Sequence, residues 1–409
     1  MRSEEDLVRT LAAASGQVER PAGDLKDLVR ARRQARRSAR RGRMLLAAAA
    51  VVAVTGGTTV LLSDRPEPAA PAQGLFTMPA KNAQGLPLTP ITALSPTEVL
   101  LAAIPGYGRP GRLEAYDSTT RTLRALGDLP APTGVTGYAV QNVEVGERYI
   151  AWYGLTPATR DRWADFWIMP RNGGAARQVA VVKGDAARVD ELRLVADSLV
   201  WSVEQGGVYR MPLTGGAPER LPGTDGLRLT SWPWATGFPG NPSGTNPVNV
   251  VNLETRETIA VKPPDRARGV ECDRDRCAGT LDGRVFVQRA DGSGRMFAPP
   301  TTWRSGPAWF LGDGRLLLQV NDPDKDKADV PLGIVLDPAT GRAVGVGERP
   351  AGGQGDGVAS SLISSSPSTV AFWHAGVAYR QKCEGKVCTK EATGDESAWT
   401  VLNVLALPK

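Results

Sequence analysis

The chain has 409 residues, with 49 Lys and Arg against 43 Asp and Glu, a formal net charge of +6, and one histidine. The first 43 residues hold 12 of the basic and 6 of the acidic side chains, so this segment carries the whole excess and the remainder is neutral. A neutral remainder argues against nucleic acid as a partner, and one histidine excludes a metal site built from several histidines.

Residues 1–43 are predicted to form a short cytoplasmic helical segment that ends in a dense run of arginines. Residues 44–63 contain no charge, and at ~1.5 Å per residue a helix of this length crosses the ~30 Å hydrocarbon layer of a bilayer. Basic residues this close to a span hold the N-terminus in the cytoplasm; the nearest are Arg36, Arg37, Arg40, Arg41 and Arg43. The sequence therefore predicts a single-pass protein of the cell membrane, with the lipid bilayer as a partner.

A cleaved signal peptide is the alternative to a retained anchor. Such peptides have a short basic region and an apolar core of ~7–15 residues, whereas 43 residues precede a longer core here. The retained anchor is favoured, which places residues 64–409 outside the cytoplasm. Residues 64–74, DRPEPAAPAQG, are predicted to form a stiff Pro/Ala linker.

Residues 75–409 repeat one short-strand unit. An apolar strand after a small polar turn recurs as SPTEVLLAA, GERYIAWYG, ADSLVWSVE, SWPWATG, RCAGTL, GDGRLLLQV and SPSTVAFWH. Each of the first six is followed by a predicted hairpin, most similar between WIMPRNGGAARQVA and YRMPLTGGAPERLP. The mean spacing is about 45 residues, which is typical of four-stranded propeller blades.

The fold class predicted from these seven units is all-β, a seven-bladed β-propeller, with six and eight blades as the alternatives. The last strand, TVLNVLALP, is followed directly by the end of the sequence. We therefore expect the outer strand of the last blade to come from within residues 75–92, which closes the ring.

Aromatic residues at 232–238 are the candidate binding residues. Trp232, Trp234 and Phe238 stand among Pro and Gly, and exposed aromatics in a surface loop can form a contact patch. Packing between blades is the alternative for these side chains.

The four cysteines form two C-x4-C pairs, Cys272 with Cys277 and Cys383 with Cys388. Each pair brackets the predicted tip of a hairpin, where two Cα atoms come within bridging distance. Two local disulfides are predicted, because such pairs are oxidised outside the cytoplasm. A four-cysteine zinc site is the alternative, although the usual C-x2-C pairs are missing.

The segment NDPDKDKADV resembles the start of a calcium-binding loop, with Asp322, Asp324 and Asp326 as the candidate ligands. Lys327 stands where the loop needs Gly, and Gly333 where it needs a bidentate Glu. A solvated hairpin tip is predicted instead, and no metal or other cofactor is expected.

The sequence gives little indication of catalysis. The one histidine, His374, follows two aromatic residues on a predicted strand and is expected to be packed. Nucleophile-elbow, P-loop and dinucleotide-binding motifs are missing. An enzyme is therefore the less favoured class; its most plausible form is an envelope glycan hydrolase with two carboxylates in the propeller funnel.

The strand SPSTVAFWH and the hairpin YRMPLTGGAPERLP resemble those of the TolB-type, WD-repeat-like propellers of bacterial envelopes. The resemblance covers roughly residues 75–409, and SPTE, SPST or GDGR stand where that family has Ser-Pro-Asp-Gly. It implies binding of a protein or an envelope ligand at the mouth of the ring.

The predicted layout also resembles that of membrane anti-sigma factors, which join short cytoplasmic helices to an outer sensor. Residues 1–43 contain neither the histidine nor the cysteines of the zinc-binding kind. The leading hypothesis is a membrane-anchored extracytoplasmic binding, scaffold or sensor module, with residues 1–43 as the docking segment for a cytosolic partner.

Overall fold

The computed structural model describes residues 74–408 except 107–108, 110, 133–134, 136, 157–162, 239–245, 299–303, 322–330, 349–356, 362, 375 and 385–386. The predictions for the cytoplasmic segment, the membrane span with its arginines and the linker up to residue 73 lie outside the described residues. Within the described part, no helix has the length and apolar character needed to cross a membrane.

The described residues form seven sheets arranged as the blades of a propeller, and an eighth sheet of two strands. In the first six blades, four strands pair in chain order. Blade 1 contains β2 (Leu88–Ala93), β3 (Glu98–Ala103), β4 (Gly111–Asp117) and β5 (Thr122–Leu129). Blade 2 contains β6 (Ala139–Val145), β7 (Tyr149–Leu155), β8 (Trp163–Pro170) and β9 (Arg177–Lys183). Blade 3 contains β10 (Val189–Val195), β11 (Ser198–Val203), β12 (Val208–Pro212) and β13 (Glu219–Arg220).

The next three blades repeat this order. Blade 4 contains β14 (Leu227–Leu229), β15 (Trp234–Gly237), β16 (Asn249–Asn252) and β17 (Thr258–Ala260). Blade 5 contains β18 (Arg268–Asp273), β19 (Arg276–Leu281), β20 (Arg284–Arg289) and β21 (Met296–Phe297). Blade 6 contains β22 (Arg304–Phe310), β23 (Leu316–Asn321), β24 (Pro331–Leu336) and β25 (Ala343–Glu348).

Blade 7 joins the two ends of the propeller. Its sheet has the order β1 (Leu75–Pro79), β29 (Ala398–Asn403) and β26 (Val370–His374), so the first strand of the chain is its outer strand. The antiparallel register sets Leu75 opposite Leu402 and Pro79 opposite Ala398. The chain between β26 and β29 forms a hairpin of β27 (Ala378–Glu384) and β28 (Val387–Thr393), which is a separate two-stranded sheet.

Both the seven repeats and the closing strand are confirmed. Six of the predicted recurring strands are the second strands of their blades, and the seventh is β26 of blade 7. Each of the six predicted hairpins forms the third and fourth strands of its blade. The outer strand of blade 7 lies within residues 75–92, as expected.

Seven buried apolar clusters hold the ring together, one between each pair of consecutive blades and one between blades 7 and 1. The second strands supply much of this core, since Trp152, Trp201 and Trp373 are at most 1% exposed. Apolar burial contributes ~25 cal/mol per Å², so these clusters make each blade depend on both of its neighbours.

Two faces of the ring are distinguished by their turns. The turns between the first and second strands, and between the third and fourth, lie on one face, which we call the cavity face. The turns between the second and third strands, and the connections between blades, lie on the opposite face. The first described residue, Gly74, accepts a hydrogen bond from the Asn403 amide on the cavity face.

Candidate functional site

Bulges in the first strands of blades 2 and 3 set the geometry of the propeller axis. The pairing of β6 with β7 shifts between Gln141 and Glu144, and that of β10 with β11 shifts between Val189 and Glu191. A bulge turns the following side chains away from the regular alternation of a strand. The Asn142 side chain, itself within the first bulge, donates a 2.9 Å hydrogen bond to the Asp190 carbonyl in the second.

Glu144, Glu191 and Arg193 form a buried group that we call the axial cluster. The Arg193 Nη1 lies 2.7 Å from Glu191 Oε1 and 3.6 Å from Glu144 Oε2. The Arg193 side chain is 6% exposed, against 13% for Glu191 and 21% for Glu144. Two partly buried carboxylates therefore share one buried guanidinium.

Arg193 also contacts the chain on its other side. Its Nε donates a 2.9 Å hydrogen bond to the Thr230 carbonyl in the turn of blade 4, and its Nη2 donates to the carbonyls of Thr230 and Ser366. The guanidinium thus connects blades 3, 4 and 7 at the axis, and its planar fork suits such simultaneous contacts.

Residues 363–368, the axial segment, leave blade 7 and cross the axis to blades 2 and 3. Val143 donates its amide to the Ile363 carbonyl at 2.5 Å and accepts from the Ser365 amide at 3.1 Å, as in a parallel strand pair. The Ser366 amide donates to Glu191 Oε1 at 2.8 Å. Arg193 donates to the carbonyl of the same residue, so the axial cluster binds both the amide and the carbonyl of Ser366.

Hydroxyl groups fix the rest of the axial segment. The Ser365 Oγ donates to the Leu192 carbonyl at 3.0 Å, and the Ser368 Oγ donates to the Ile91 carbonyl at the same distance. Small polar side chains fit here because the first strands of the blades converge at the axis and leave space for little else. The axial segment therefore contacts blades 1 and 3 through its hydroxyl groups.

The environment of the axial cluster shifts its protonation. Burial raises the pKa of Glu191 to about 7, and Arg193 offsets this only in part. Burial also raises the pKa of Glu144, again opposed by Arg193. Although burial acts in the opposite direction, the two carboxylates raise the pKa of Arg193, so the guanidinium stays charged.

A cavity of about 360 Å³ opens beside the axial segment on the cavity face. Its wall comes from blades 1, 2, 3, 4, 6 and 7, and it includes Glu144, Arg171, Arg193, Trp232, Ser365 and Leu405. Leu405 is 39% exposed, which is high for a large apolar side chain. The cavity is thus polar at its base, with an indole and an exposed leucine in its wall.

The three predicted binding aromatics do not form one patch. Trp232 lies in the turn between β14 and β15, lines the cavity, and donates from Nε1 to Glu254 at 2.9 Å. Trp234, the first residue of β15, packs against the core between blades 4 and 5. Phe238 follows the other end of β15 on the opposite face, where the Arg228 guanidinium lies 6.0 Å from its ring centre. Binding by these residues stays a prediction, and Trp232 is the one at the cavity.

The structure contains one of the two predicted disulfides. Cys272 and Cys277 are bonded across the turn between β18 and β19, with Cα atoms 4.0 Å apart. Cys383 and Cys388 lie directly opposite each other in the register of β27 and β28, while their side chains lie outside the described residues. Their disulfide stays a prediction.

The calcium candidates Asp322, Asp324 and Asp326 lie outside the described residues. Among the side chains that are described, no group of three or more His, Cys, Asp or Glu is placed to hold a metal ion.

His374 is packed, as the sequence predicted. Its ring stacks on Trp399 with 3.6 Å between centres, and its Nδ1 lies 2.7 Å from the Ala398 carbonyl. Burial lowers the pKa of this imidazole, which keeps it neutral near pH 7.

Glu144 and Glu191 are the carboxylates that a hydrolase in the funnel would need. Hydrolysis requires one carboxyl group beside the leaving oxygen and a second beside water or the sugar carbon. Here Arg193 lies against both, and the oxygen of Glu191 that it contacts also accepts from Ser366. These contacts engage both carboxylates with groups of the protein itself.

The axial cluster and the axial segment were not predicted from the sequence. The residues through which the two meet are far apart in the sequence, 173 positions between Arg193 and Ser366, so no local pattern joins them. The available signal was an acidic residue within two first strands, in QNVEV and VDELRLV, where a propeller core is usually apolar.

The fold and this site define the class: an all-β, seven-bladed propeller whose axis is closed by its own chain. No protein-family model matches the sequence, and no curated protein matches it. Among solved structures, TolB from Acinetobacter baumannii is similar at 12% identity, over 73% of this chain and 78% of that one, with a TM-score of 0.31.

Two other propellers are similar to the same degree. BamB from Moraxella catarrhalis is 11% identical over 78% of this chain and 86% of that one, with a TM-score of 0.36. The β-propeller domain of the Trilobed protease from Pyrococcus furiosus is 9% identical over 70% and 88%, with a TM-score of 0.41. Similarity of this degree does not specify a ligand or a partner.

Proposed function

We propose that this protein is a single-pass membrane protein whose propeller lies outside the cytoplasm and binds a protein or an envelope polymer at its cavity face. The proposal depends on what the charged groups of the axial cluster contact. Glu191 and Arg193 are engaged with the backbone of Ser366, so they serve to hold a peptide segment. Such an arrangement favours binding over catalysis.

The cavity face offers a surface suited to recognition. The cavity combines polar groups at its base with Trp232 and the exposed Leu405, and interfaces commonly centre on an aromatic residue with polar groups around it. The disulfide between Cys272 and Cys277 agrees with an oxidising compartment. Under this proposal residues 1–43 dock a cytosolic partner.

Site-specific crosslinking on intact cells tests the proposal. A photoreactive amino acid replaces Leu405, which is exposed on the cavity face, in the full-length chain. The matched control carries it at Asp265, an exposed residue on the opposite face. We expect a crosslinked product of discrete mass, or a ladder from a polymer, at Leu405 and none at Asp265.

Equal crosslinking at both positions would contradict recognition by the cavity face. Repeating the experiment in the variant Trp232→Ala separates specific from random capture. Since Trp232 lines the same cavity, its loss should weaken the Leu405 product severalfold.

A further inference from the structure

We propose that the axial cluster is a proton-dependent latch, in which Glu191 holds the axial segment closed when protonated and releases it when ionised. The inference concerns the propeller alone and does not require that the partner or the membrane topology be known.

The net charge of the axial cluster depends on how many protons its two carboxylates bind. Glu144 and Glu191 share the single guanidinium of Arg193, with both carboxylates in contact with the same Nη1. With both ionised, the buried group carries a net charge of −1. With one proton bound, one carboxylate balances one guanidinium and the group is neutral. Burial strongly favours the neutral form.

Other charged side chains surround the axial cluster. Arg193 and Asp190 lie beside Glu191 on β10, Glu144 faces it from β6, Asp273 lies near Arg193 from β18, and the Arg228 guanidinium of β14 is 3.7 Å from Asp190. The axial segment itself contributes no charge. Arg228 is engaged with Asp190, so Arg193 alone serves the two carboxylates.

The charged groups of the axial cluster bind the axial segment directly. The Ser366 amide donates to Glu191, and the Ser366 carbonyl accepts from Arg193. In blade 7, the inner side of β26 is paired at one described position, Ala359 opposite Phe372. The hydroxyls of Ser365 and Ser368 also hold the axial segment, so the axial cluster and Val143 act on its central part around Ser365 and Ser366.

The direction of the pH dependence follows from linkage. The pKa of Glu191 is about 7 in the closed state and close to the ordinary glutamate value of 4.5 when the segment opens to water. The closed state therefore binds the proton more tightly, and opening becomes easier as the pH rises from 4.5 to about 7. Above that range both states are ionised, and the opening equilibrium becomes constant.

Hydrogen–deuterium exchange of the full-length chain in detergent micelles tests the latch. Protection factors, corrected for the intrinsic exchange rate at each pH, are measured between about pH 5 and pH 8 for peptides that contain the amides of Val143, Ser365 and Ser366. We expect these factors to fall by at least about tenfold between pH 5 and 7 and then level off, since one pKa unit corresponds to a tenfold change.

Three variants make the result specific. Glu191→Gln cannot ionise, so its protection should stay high and independent of pH. Glu144→Gln leaves Arg193 to Glu191 alone, which should move the fall to lower pH. Glu98→Gln, which removes a carboxylate paired with Arg124 away from the axis, should behave as the wild type.

The proposal is wrong if the wild type shows no fall, or if Glu191→Gln falls as the wild type does. If Glu191→Gln does not fold, the Glu144→Gln shift decides the matter, because an unchanged midpoint would exclude a shared proton. Neither outcome depends on a partner, so failure here is distinguishable from failure of the proposed binding function.

Discussion

At the scale of single residues, one guanidinium organises the axis of the propeller. Arg193 contacts two carboxylates and the carbonyls of Thr230 and Ser366, so blades 2, 3, 4 and 7 meet at one side chain. A buried charge is costly unless it is paired, and Arg193, which is 6% exposed, is paired with two carboxylates that are 13% and 21% exposed. The axial cluster is thus a structural necessity as well as a titrating group.

Replacing Arg193 by Met should destabilise the protein strongly. The variant leaves two buried carboxylates without a counter-charge, and breaking a buried pair in this way costs about 3–5 kcal/mol. The loss should be smaller at pH 5, where the carboxylates take up protons more readily. Urea unfolding of the full-length chain, followed by tryptophan fluorescence, measures the change.

The control for Arg193→Met is Arg148→Met. Arg148 pairs with Asp197, but both side chains are more than half exposed. Exposed pairs contribute little, so the free energy of unfolding should change by less than about 1 kcal/mol. Similar losses in both variants would show that the axial cluster contributes no more to the free energy of unfolding than an exposed ion pair does.

At the scale of elements, the repeated strands were predictable because a short stretch of sequence is enough to indicate each one. An apolar strand after a small polar turn occurs once per blade; six occurrences are second strands, and the seventh is β26 of blade 7. The closing strand was predictable from the need to cover an open edge. The C-x4-C spacing predicted the tip of the β27–β28 hairpin between Cys383 and Cys388. Its separation from the sheet of blade 7 was not predicted, because nothing in its alternation excludes pairing within that blade.

The closing strand β1 should be essential for stability. Met78 is 2% exposed and belongs to the core between blades 7 and 1, whereas its neighbour Thr77 is exposed. The variant Met78→Asp buries a charge in this core and should lower the free energy of unfolding by about 3 kcal/mol or more. Thr77→Asp, on the other side of the same strand, should change it by less than about 0.5 kcal/mol.

Thermal unfolding of both variants in the same detergent gives the comparison. If Met78→Asp unfolds at the wild-type temperature, blade 7 does not depend on β1, and the ring is held by the other six interfaces.

The disulfide at the turn between β18 and β19 supports contacts to two other blades. Asp273 accepts from the Ser231 amide of blade 4 at 3.0 Å, and Arg276 donates to the Pro338 carbonyl of blade 6 at 3.3 Å. The double variant Cys272→Ser/Cys277→Ser should therefore lose about 2 kcal/mol of stability, the value for a loop of this length.

The matched control is Cys383→Ser/Cys388→Ser. Because β27 and β28 pair with each other and not with the sheet of blade 7, we expect a smaller loss of global stability. Thiol alkylation and mass spectrometry of the wild type, with and without reduction, count the bonded cysteines directly. Equal losses in the two double variants would contradict the inter-blade role of the first disulfide.

At the scale of the whole molecule, the closed axis is the feature that sequence reasoning could not reach. Its contacts join residues three or four blades apart, such as Ser365 with Leu192, and the segment ISSSPS resembles an ordinary loop. Only the closed ring brings the bulges of β6 and β10 to one point. The polar base of the cavity therefore depends on the fold and not on any local motif.

The compartment is the last prediction, and it concerns the entire chain. An uncharged run of twenty residues behind a cluster of arginines predicts that the N-terminus lies inside and the propeller outside. Intact cells whose wall has been permeabilised are treated with a protease, using an epitope at each end of the full-length chain. The C-terminal epitope should be lost while the N-terminal one persists on a short protected fragment. If both epitopes survive until the cells are lysed, the propeller lies in the cytoplasm. Its disulfide would then form in a reducing compartment, which the physical chemistry of thiols disfavours.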